Sequence, residues 1–281
     1  MESIIKAEGV TKLFDSFAAL NNINLDIPAG RIVGLIGPNG AGKTTFLRCL
    51  MGLSTHLGKL SVMGMNPLEN RKKVLEHVAY IADTAVLPRW IRVNQLLEYA
   101  EGVHTNFNRK RAEGFLTKTD IKLNSKIRTL SKGMITQVHL AIAISIEARL
   151  LVLDEPTLGL DILYRKRFYE QLLNDFFDEQ RTIVITTHQV EEVEALLSDL
   201  LFIQKGKLIL NMSMDEIGQR FHQLDINKNQ IDVALALKPI HRSPILGGER
   251  LIFENTPQQK LQEIGAVSTP SVADLFVAKM A

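Results

Sequence analysis

Residues 37–45 have the residue types and the spacing of a loop that binds phosphate groups. The stretch fits the pattern G-x-x-x-x-G-K-T and consists of Gly37, Pro38, Asn39, Gly40, Ala41, Gly42, Lys43, Thr44 and Thr45. Its glycines allow a tight turn that brings backbone N–H groups close to phosphate oxygens. We expect Lys43 to reach the β- and γ-phosphates of a nucleotide and the Thr44 hydroxyl to bind magnesium. The alternative is a glycine-rich turn before an ordinary helix.

Two adjacent carboxylates, Asp154 and Glu155, follow a fully apolar segment at residues 150–153. Acids at the end of a buried strand are costly unless they meet a metal, a transferable proton or hydrogen-bond donors. We therefore expect Asp154 to hold magnesium directly or through water, and Glu155 to activate an attacking water as general base. The alternative is an acid pair that caps a helix.

His188 follows a second apolar segment, residues 182–186. In an open α/β sheet, ligands bind at the carboxyl ends of the parallel strands, and Lys43, Asp154 and His188 all follow predicted strands. We expect these side chains to meet at one sheet edge, where His188 contacts a γ-phosphate. The alternative for His188 is a structural histidine with satisfied hydrogen bonds.

Two further positions allow a choice between a structural role and a binding role. Ser131 precedes an apolar helix predicted at residues 138–146 and is well placed to cap it. The same helix start, with Ser131, Gly133 and free N–H groups, suits a second phosphate-bearing ligand. Phe14, at a predicted loop tip, is either a core residue or an aromatic that stacks on adenine.

Apolar periodicity predicts the elements that position these groups. Residues 4–36 indicate β structure, the surroundings of Gly58 and Gly64 indicate turns, and residues 84–146 indicate helices. A helix beginning with Glu191, Glu192 and Glu194 is predicted after His188, a hairpin at residues 200–210, and helices at residues 215–224 and after Pro270. We expect a main domain over residues 1–213, with a helical subdomain at about residues 84–146, and a small extension over residues 214–281.

The composition is that of a globular chain: 281 residues, 46% hydrophobic and 23% charged. The net charge is +2 and charges of both signs are interspersed, so we expect no nucleic-acid partner. The sequence starts without the residue order of a signal peptide, and no uncharged apolar run approaches about 18 residues. Cys49 is the single cysteine, so the chain cannot form an intrachain disulfide, which fits a reducing compartment. We therefore expect the chain to be cytoplasmic.

As a set, these motifs resemble those of the ATP-binding cassette (ABC) family. Residues 130–134, L-S-K-G-M, are similar to the family signature L-S-G-G-Q, although Lys132 replaces a glycine and Met134 the glutamine. Residues 157–161 are similar to the family's Ser/Thr-x-Gly-Leu-Asp loop. The resemblance extends to about residue 210 and implies an α/β fold: a RecA-like P-loop NTPase core with a mixed sheet, an antiparallel β subdomain and an inserted α-helical subdomain.

The resemblance also implies residue roles. Phe14 corresponds to the family's adenine-stacking aromatic and His188 to its switch histidine. Ser131 and Gly133 correspond to signature residues that touch the γ-phosphate of an ATP bound to another copy. Asp83 stands where the family has a glutamine that senses magnesium, so it is a further candidate magnesium ligand.

The function implied by the resemblance is that of a transporter ATPase with ATP and magnesium as cofactors. Two copies, or this chain and a related cassette, would pair head to tail, each ATP lying between Lys43 of one copy and Ser131 of the other. Separate integral membrane permease subunits would dock near Arg89 and Trp90, at the inner face of the cell membrane. Residues 269–278 are similar to the tails of exporter cassettes, which favours export. The alternative is a soluble ABC ATPase that does not take part in transport.

Overall fold

The computed structural model describes residues 2–82 and 87–280, so Asp83, a predicted magnesium ligand, lies outside the described residues. The strands are β1 (Ser3–Phe14), β2 (Phe17–Pro28), β3 (Ile32–Ile36), β4 (Leu57–Val62), β5 (Val78–Ile81), β6 (Leu150–Asp154), β7 (Thr182–Thr187), β8 (Asp199–Gln204), β9 (Lys207–Ser213), β10 (Phe221–Asn227), β11 (His241–Ile245), β12 (Gly248–Glu254) and β13 (Val267–Ser268). The helices are α1 (Lys43–Leu50), α2 (Arg71–Leu75), α3 (Val93–Val103), α4 (Arg109–Leu116), α5 (Lys132–Ile144), α6 (Ile162–Asp175), α7 (Met214–Arg220), α8 (Ile231–Leu235), α9 (Gln258–Gln262) and α10 (Val272–Met280).

A six-stranded mixed sheet forms the centre, in the order β5-β6-β7-β3-β8-β9. The first five strands are parallel, and β9 closes the edge as the antiparallel partner of β8. Every residue of β3, β6 and β7 is buried, which is why these strands are nearly continuous apolar runs. These three strands are neighbours, so the polar residues that follow them lie at one edge of the sheet, as predicted.

A second sheet, in the order β2-β1-β4, is antiparallel and covers one side of the central sheet. Strand β4 contains Gly58, where a turn was predicted because this glycine interrupts the apolar pattern, whereas Gly64 lies in a turn, as predicted. Gly58 has a φ of 81°, and a Cβ at this position would lie 2.4 Å from the Gly9 carbonyl oxygen. The glycine therefore permits a close approach of two strands and does not mark a turn.

The helical region contains α3, α4 and α5. Helix α5 begins at Lys132, six residues earlier than predicted, and Ser131 caps it by accepting a hydrogen bond from the Met134 N–H at 3.2 Å. The predicted helix after His188 is wrong: Val190–Glu192 and Glu194–Leu196 form two short 3-10 turns. In the described residues, no helix combines the length and the apolar character needed to cross a membrane.

The C-terminal residues form a four-stranded antiparallel sheet, in the order β11-β12-β10-β13, with a small core of its own. The helix predicted at residues 215–224 is shorter in the structure: α7 ends at Arg220, and β10 begins at the next residue. Helix α10 leaves this sheet and packs on the large core, where Val272 and Leu275 are buried and Phe276 meets Phe202 edge to face at 5.2 Å. The predicted division at residue 213 stays a prediction.

Candidate active site

The glycine-rich loop lies between β3 and α1, as the sequence predicted. Gly42 precedes the helix with a φ of 112°, a conformation that favours glycine. A Cβ at Gly42 would lie 2.5 Å from the Ala19 carbonyl oxygen, and one at Gly37 would lie 2.3 Å from that of Ile203. The loop is therefore packed too tightly against its neighbours to carry side chains at these two positions.

Lys43 is buried inside this loop, with only 7% of its side chain exposed. Its Nζ donates a hydrogen bond to the Gly37 carbonyl oxygen at 2.6 Å and lies 3.8 Å from Glu155 Oε1. Burial lowers the pKa of Lys43, and the negative charges of Glu155 and Asp154 partly oppose that shift. The ammonium therefore carries a desolvation cost, which contact with a phosphate group would offset.

Asp154 ends β6 and is 1% exposed. Its Oδ1 accepts a hydrogen bond from Thr186 Oγ1 on the neighbouring strand at 2.6 Å. The same hydroxyl oxygen accepts one from the Glu155 N–H at 3.1 Å. The acid pair does not cap a helix, because Asp161 caps α6. Thr186 was missed in the sequence, where it reads as one more member of a β-branched run.

Glu155 connects three parts of the site. Its Oε2 lies 2.9 Å from His188 Nδ1 and accepts a second hydrogen bond from the His188 N–H at 3.3 Å, while its Oε1 faces Lys43. The backbone of Glu155 is left-handed, with a φ of 49°, which is costly for a residue other than glycine. The fold therefore holds this carboxylate between the glycine-rich loop and the end of β7.

A cleft of about 300 Å³ opens beside these groups. Its lining consists of Phe14, Phe17, Ala19, Asn39, Gly40, Ala41, Gly42, Lys43, Thr44, Thr45, Asp154 and Glu155. Phe14 is 51% exposed and is therefore not a core residue. The ammonium of Lys12 lies 4.8 Å from its ring centroid, and Phe17 pairs with Phe14 across the turn between β1 and β2. Phe17 was missed in the sequence, where the spacing F-x-x-F across a short turn was its only signal.

Phe14→Ala is expected to raise the Kd for ATP about tenfold, since stacking on an aromatic ring contributes roughly 1–3 kcal/mol per base. Affinity for inorganic tripolyphosphate, which has no base, is expected to stay within twofold of the parent. Titration calorimetry with both ligands measures the difference. Val277→Ala, a change at an exposed residue of α10, is the control. Equal losses for both ligands would contradict a role of Phe14 in contacting the base.

The residues present suit a magnesium ion that is held mainly by phosphates. Among the described residues, no group of three or more His, Cys, Asp or Glu side chains forms a metal cage. Asp154 and the exposed Thr44 hydroxyl on the first turn of α1 would supply the one or two hard oxygen ligands that Mg²⁺ takes beside phosphate oxygens. Both remain predicted ligands.

Ser131 and Gly133 are not among the residues that line the cleft. Ser131 is exposed at the start of α5, and Gly133 packs against Tyr164, whose ring carbons would lie 3.1 Å from a Cβ at this glycine. The Lys132 side chain crosses the loop at residues 157–161, its Nζ 2.4 Å from where a Cβ of Gly159 would lie. The capping role of Ser131 is confirmed, and its contact with a second ligand stays a prediction.

Comparison with known proteins shows to which family the chain is similar. Residues 20–158 match the model of the ABC transporter family. An uncharacterised ABC transporter ATP-binding protein of Bacillus subtilis is 30% identical over 221 residues, which are 78% of this chain and 72% of that protein. The Nod factor export ATP-binding protein I of Rhizobium johnstonii is 28% identical over 295 residues, with 97% and 93% covered. A probable multidrug ABC transporter ATP-binding protein of Escherichia coli is 32% identical, but only 38% of its length is matched.

Solved structures agree on the fold. The ATP-binding subunit of an ABC transporter superposes with a TM-score of 0.66 at 24% identity, covering 76% of this chain and 91% of that one. A nucleotide-free cassette superposes with a TM-score of 0.65 at 19% identity, with 76% and 93% covered. Fold and site together define a P-loop NTPase with a mixed sheet. The chain belongs to the family of ABC transporter ATP-binding proteins, which bind ATP and hydrolyse it to drive transport.

Proposed function

We propose that this chain powers an ABC exporter and acts as a head-to-tail pair, or with a related cassette, at the inner face of the cell membrane. The observation that carries the proposal is the separation of two parts of the predicted ATP site. Lys43, Asp154 and Glu155 line one cleft, whereas Ser131 and Gly133 lie at a different helix start. In this proposal a second copy, or a related cassette, brings such a helix start to the open side of the cleft.

In this proposal the phosphates of ATP lie along the backbone N–H groups of residues 37–45, with Lys43 at the β- and γ-phosphates and adenine against Phe14. Thr44 and Asp154 would hold a magnesium ion, which would supply positive charge opposite the phosphates. Glu155 takes a proton from the attacking water. At the same time the water oxygen forms a bond to the γ-phosphorus, and the bond between the γ-phosphorus and the bridging β,γ-oxygen breaks, so that ADP leaves. His188 orients Glu155 through its Nδ1 and contacts the γ-phosphate. The contact of 2.9 Å between His188 and Glu155 supports this division of roles.

Ser131 and Gly133 of the second copy contact the same γ-phosphate, so ATP joins the two chains through charge-assisted hydrogen bonds. Loss of the γ-phosphate removes these contacts and lets the pair open. This cycle moves the separate permease subunits, which dock near Arg89 and Trp90. Trp90 supports the docking role because it is 73% exposed beside two arginines in the helical region. Export is supported by the names of relatives such as the Nod factor export protein.

Tagged protein isolated from detergent-solubilised membranes of its own cells is expected to carry a polytopic membrane protein that has no cassette. Trp90→Ala is expected to reduce the amount recovered at least fivefold, because an aromatic anchor contributes about 1–2 kcal/mol or more at an interface. Leu246→Ala, at the fully exposed tip between β11 and β12, is the matched control. Recovery of ribosomal or DNA-repair proteins without such a membrane protein would favour the soluble ATPase instead.

A further inference from the structure

Arg165, on the first turns of α6, joins two loops that flank the acid pair. Its Nε donates to the Leu160 carbonyl oxygen at 2.6 Å, and its Nη1 donates to Gln189 Oε1 at 2.6 Å. The same nitrogen forms an ion pair with Glu192. The side chain is 18% exposed, so these contacts are partly shielded from water. One guanidinium is thus hydrogen-bonded to two segments that are distant in sequence.

Both segments adjoin groups of the site. Leu160 ends the loop that follows Glu155 and Pro156, and its N–H is bonded to the Thr157 carbonyl at 3.1 Å. Gln189 is the residue after His188, and its N–H is bonded to Thr187 Oγ1 at 2.9 Å. Since the residues after Gln189 form only short 3-10 turns, their own backbone bonds give little rigidity. Arg165 supplies a side-chain connection between the end of β7 and the loop after β6.

We propose that Arg165 is a positioning residue for ATP hydrolysis: it fixes Gln189 against the loop at residues 157–161 and so keeps His188 within reach of Glu155. The inference rests on the roles of Glu155 and His188 in the proposed function. A planar guanidinium presents donors in a fixed fork, which lets it reach the Leu160 carbonyl and the Gln189 amide at once. A lysine ammonium carries its charge and its donors on one nitrogen atom. It can keep the ion pair with Glu192 but cannot make all the hydrogen bonds of the guanidinium.

The test compares Arg165→Met, Arg165→Lys and Gln189→Ala with the parent in ATP turnover and in binding of a fluorescent ATP analogue. Each variant is expected to lower kcat about tenfold or more, since small misplacements of catalytic groups have effects of this size. The Kd is expected to stay within twofold, because Arg165 does not line the nucleotide cleft. The double variant Arg165→Lys with Gln189→Ala is expected to have a kcat no lower than that of the slower single variant, because both substitutions break the same contact between Arg165 and Gln189.

The control is Arg167→Met, which removes an exposed arginine from the same helix and is expected to leave kcat and Kd unchanged. If Arg165→Met does not fold, Arg165→Lys and Gln189→Ala still decide the question. A parental kcat in these two variants, or full rescue by lysine, would show that Arg165 only stabilises the fold. His188→Ala separates the two proposals. If His188→Ala loses ATP turnover while the Arg165 variants turn over ATP at the parental rate, the inference about Arg165 alone is refuted. If His188→Ala turns over ATP at the parental rate, the proposed role of His188 is refuted.

Discussion

Glu155→Gln is expected to reduce ATP turnover roughly 1,000-fold, the order of effect of losing a general base. Glutamine has the same shape and suits the same partly buried position, but its amide cannot take a proton from water at neutral pH. ATP affinity should not fall, because Lys43, the glycine-rich loop and Phe14 are unchanged. Phosphate release under saturating ATP with magnesium measures turnover, and equilibrium binding of a fluorescent ATP analogue measures affinity.

The same variant is expected to accumulate as a dimer with ATP, because the γ-phosphate that joins the two copies persists. Size-exclusion chromatography with light scattering should show twice the chain mass with ATP and a single chain mass with ADP. Glu191→Gln makes the same chemical change at an exposed residue near the site and should turn over ATP like the parent. A Glu155→Gln protein with more than about a tenth of parental turnover would exclude Glu155 as the general base.

Lys43→Met is expected to weaken ATP binding by on the order of 100-fold, because about 3 kcal/mol of charge-assisted hydrogen bonding to the phosphates is lost. Methionine keeps most of the apolar stem, so packing in the loop is conserved. The effect should appear equally with tripolyphosphate, since the contact is with phosphate and not with the base. Titration calorimetry with both ligands measures it, and Lys166→Met, at a residue that is 76% exposed, is the control.

The thermal stability of this variant without nucleotide should not decrease. Burial lowers the pKa of Lys43 in the folded state. A lysine with a lowered folded-state pKa destabilises the fold wherever it is charged, that is, at all pH values below its ordinary pKa. Methionine removes that cost, although it also removes the bond to the Gly37 carbonyl, so the Tm at neutral pH is expected to equal or exceed the parental value. A normal ATP affinity together with a reduced Tm would show that Lys43 is structural.

The positions of the candidate site residues could be predicted where local pattern and chemistry coincide. A fully apolar run that ends in Asp154 and Glu155 indicates a buried strand and a costly acid pair, and the two conclusions support each other. Lys43 was predicted from the glycine-rich pattern and His188 from its position after a strand, and the carboxyl ends of parallel strands lie at one sheet edge. The contact between His188 and Glu155 shows that the ends of β6 and β7 bring these side chains together at one sheet edge.

Residues that act through tertiary pairing could not be predicted. Thr186 contacts Asp154 only because β6 and β7 pair in one register, and Phe17 joins the cleft only because of the turn after Phe14. The helix predicted after His188 is replaced by 3-10 turns because side-chain contacts compete with helix formation there. Glu192 forms an ion pair with Arg165, and Glu194 accepts a hydrogen bond from the Val272 N–H at 3.0 Å. Such competition depends on contacts distant in sequence.

The position of α10 has a consequence for biosynthesis. Val272 and Leu275 belong to the same core as Phe202 of the central sheet, yet a ribosome adds them some seventy residues after that strand. A nascent chain that has emerged only through β9 therefore still exposes the apolar surface that α10 later covers. The core around Phe202 is therefore completed only after the intervening C-terminal sheet has been synthesised, and until then the exposed apolar surface favours aggregation.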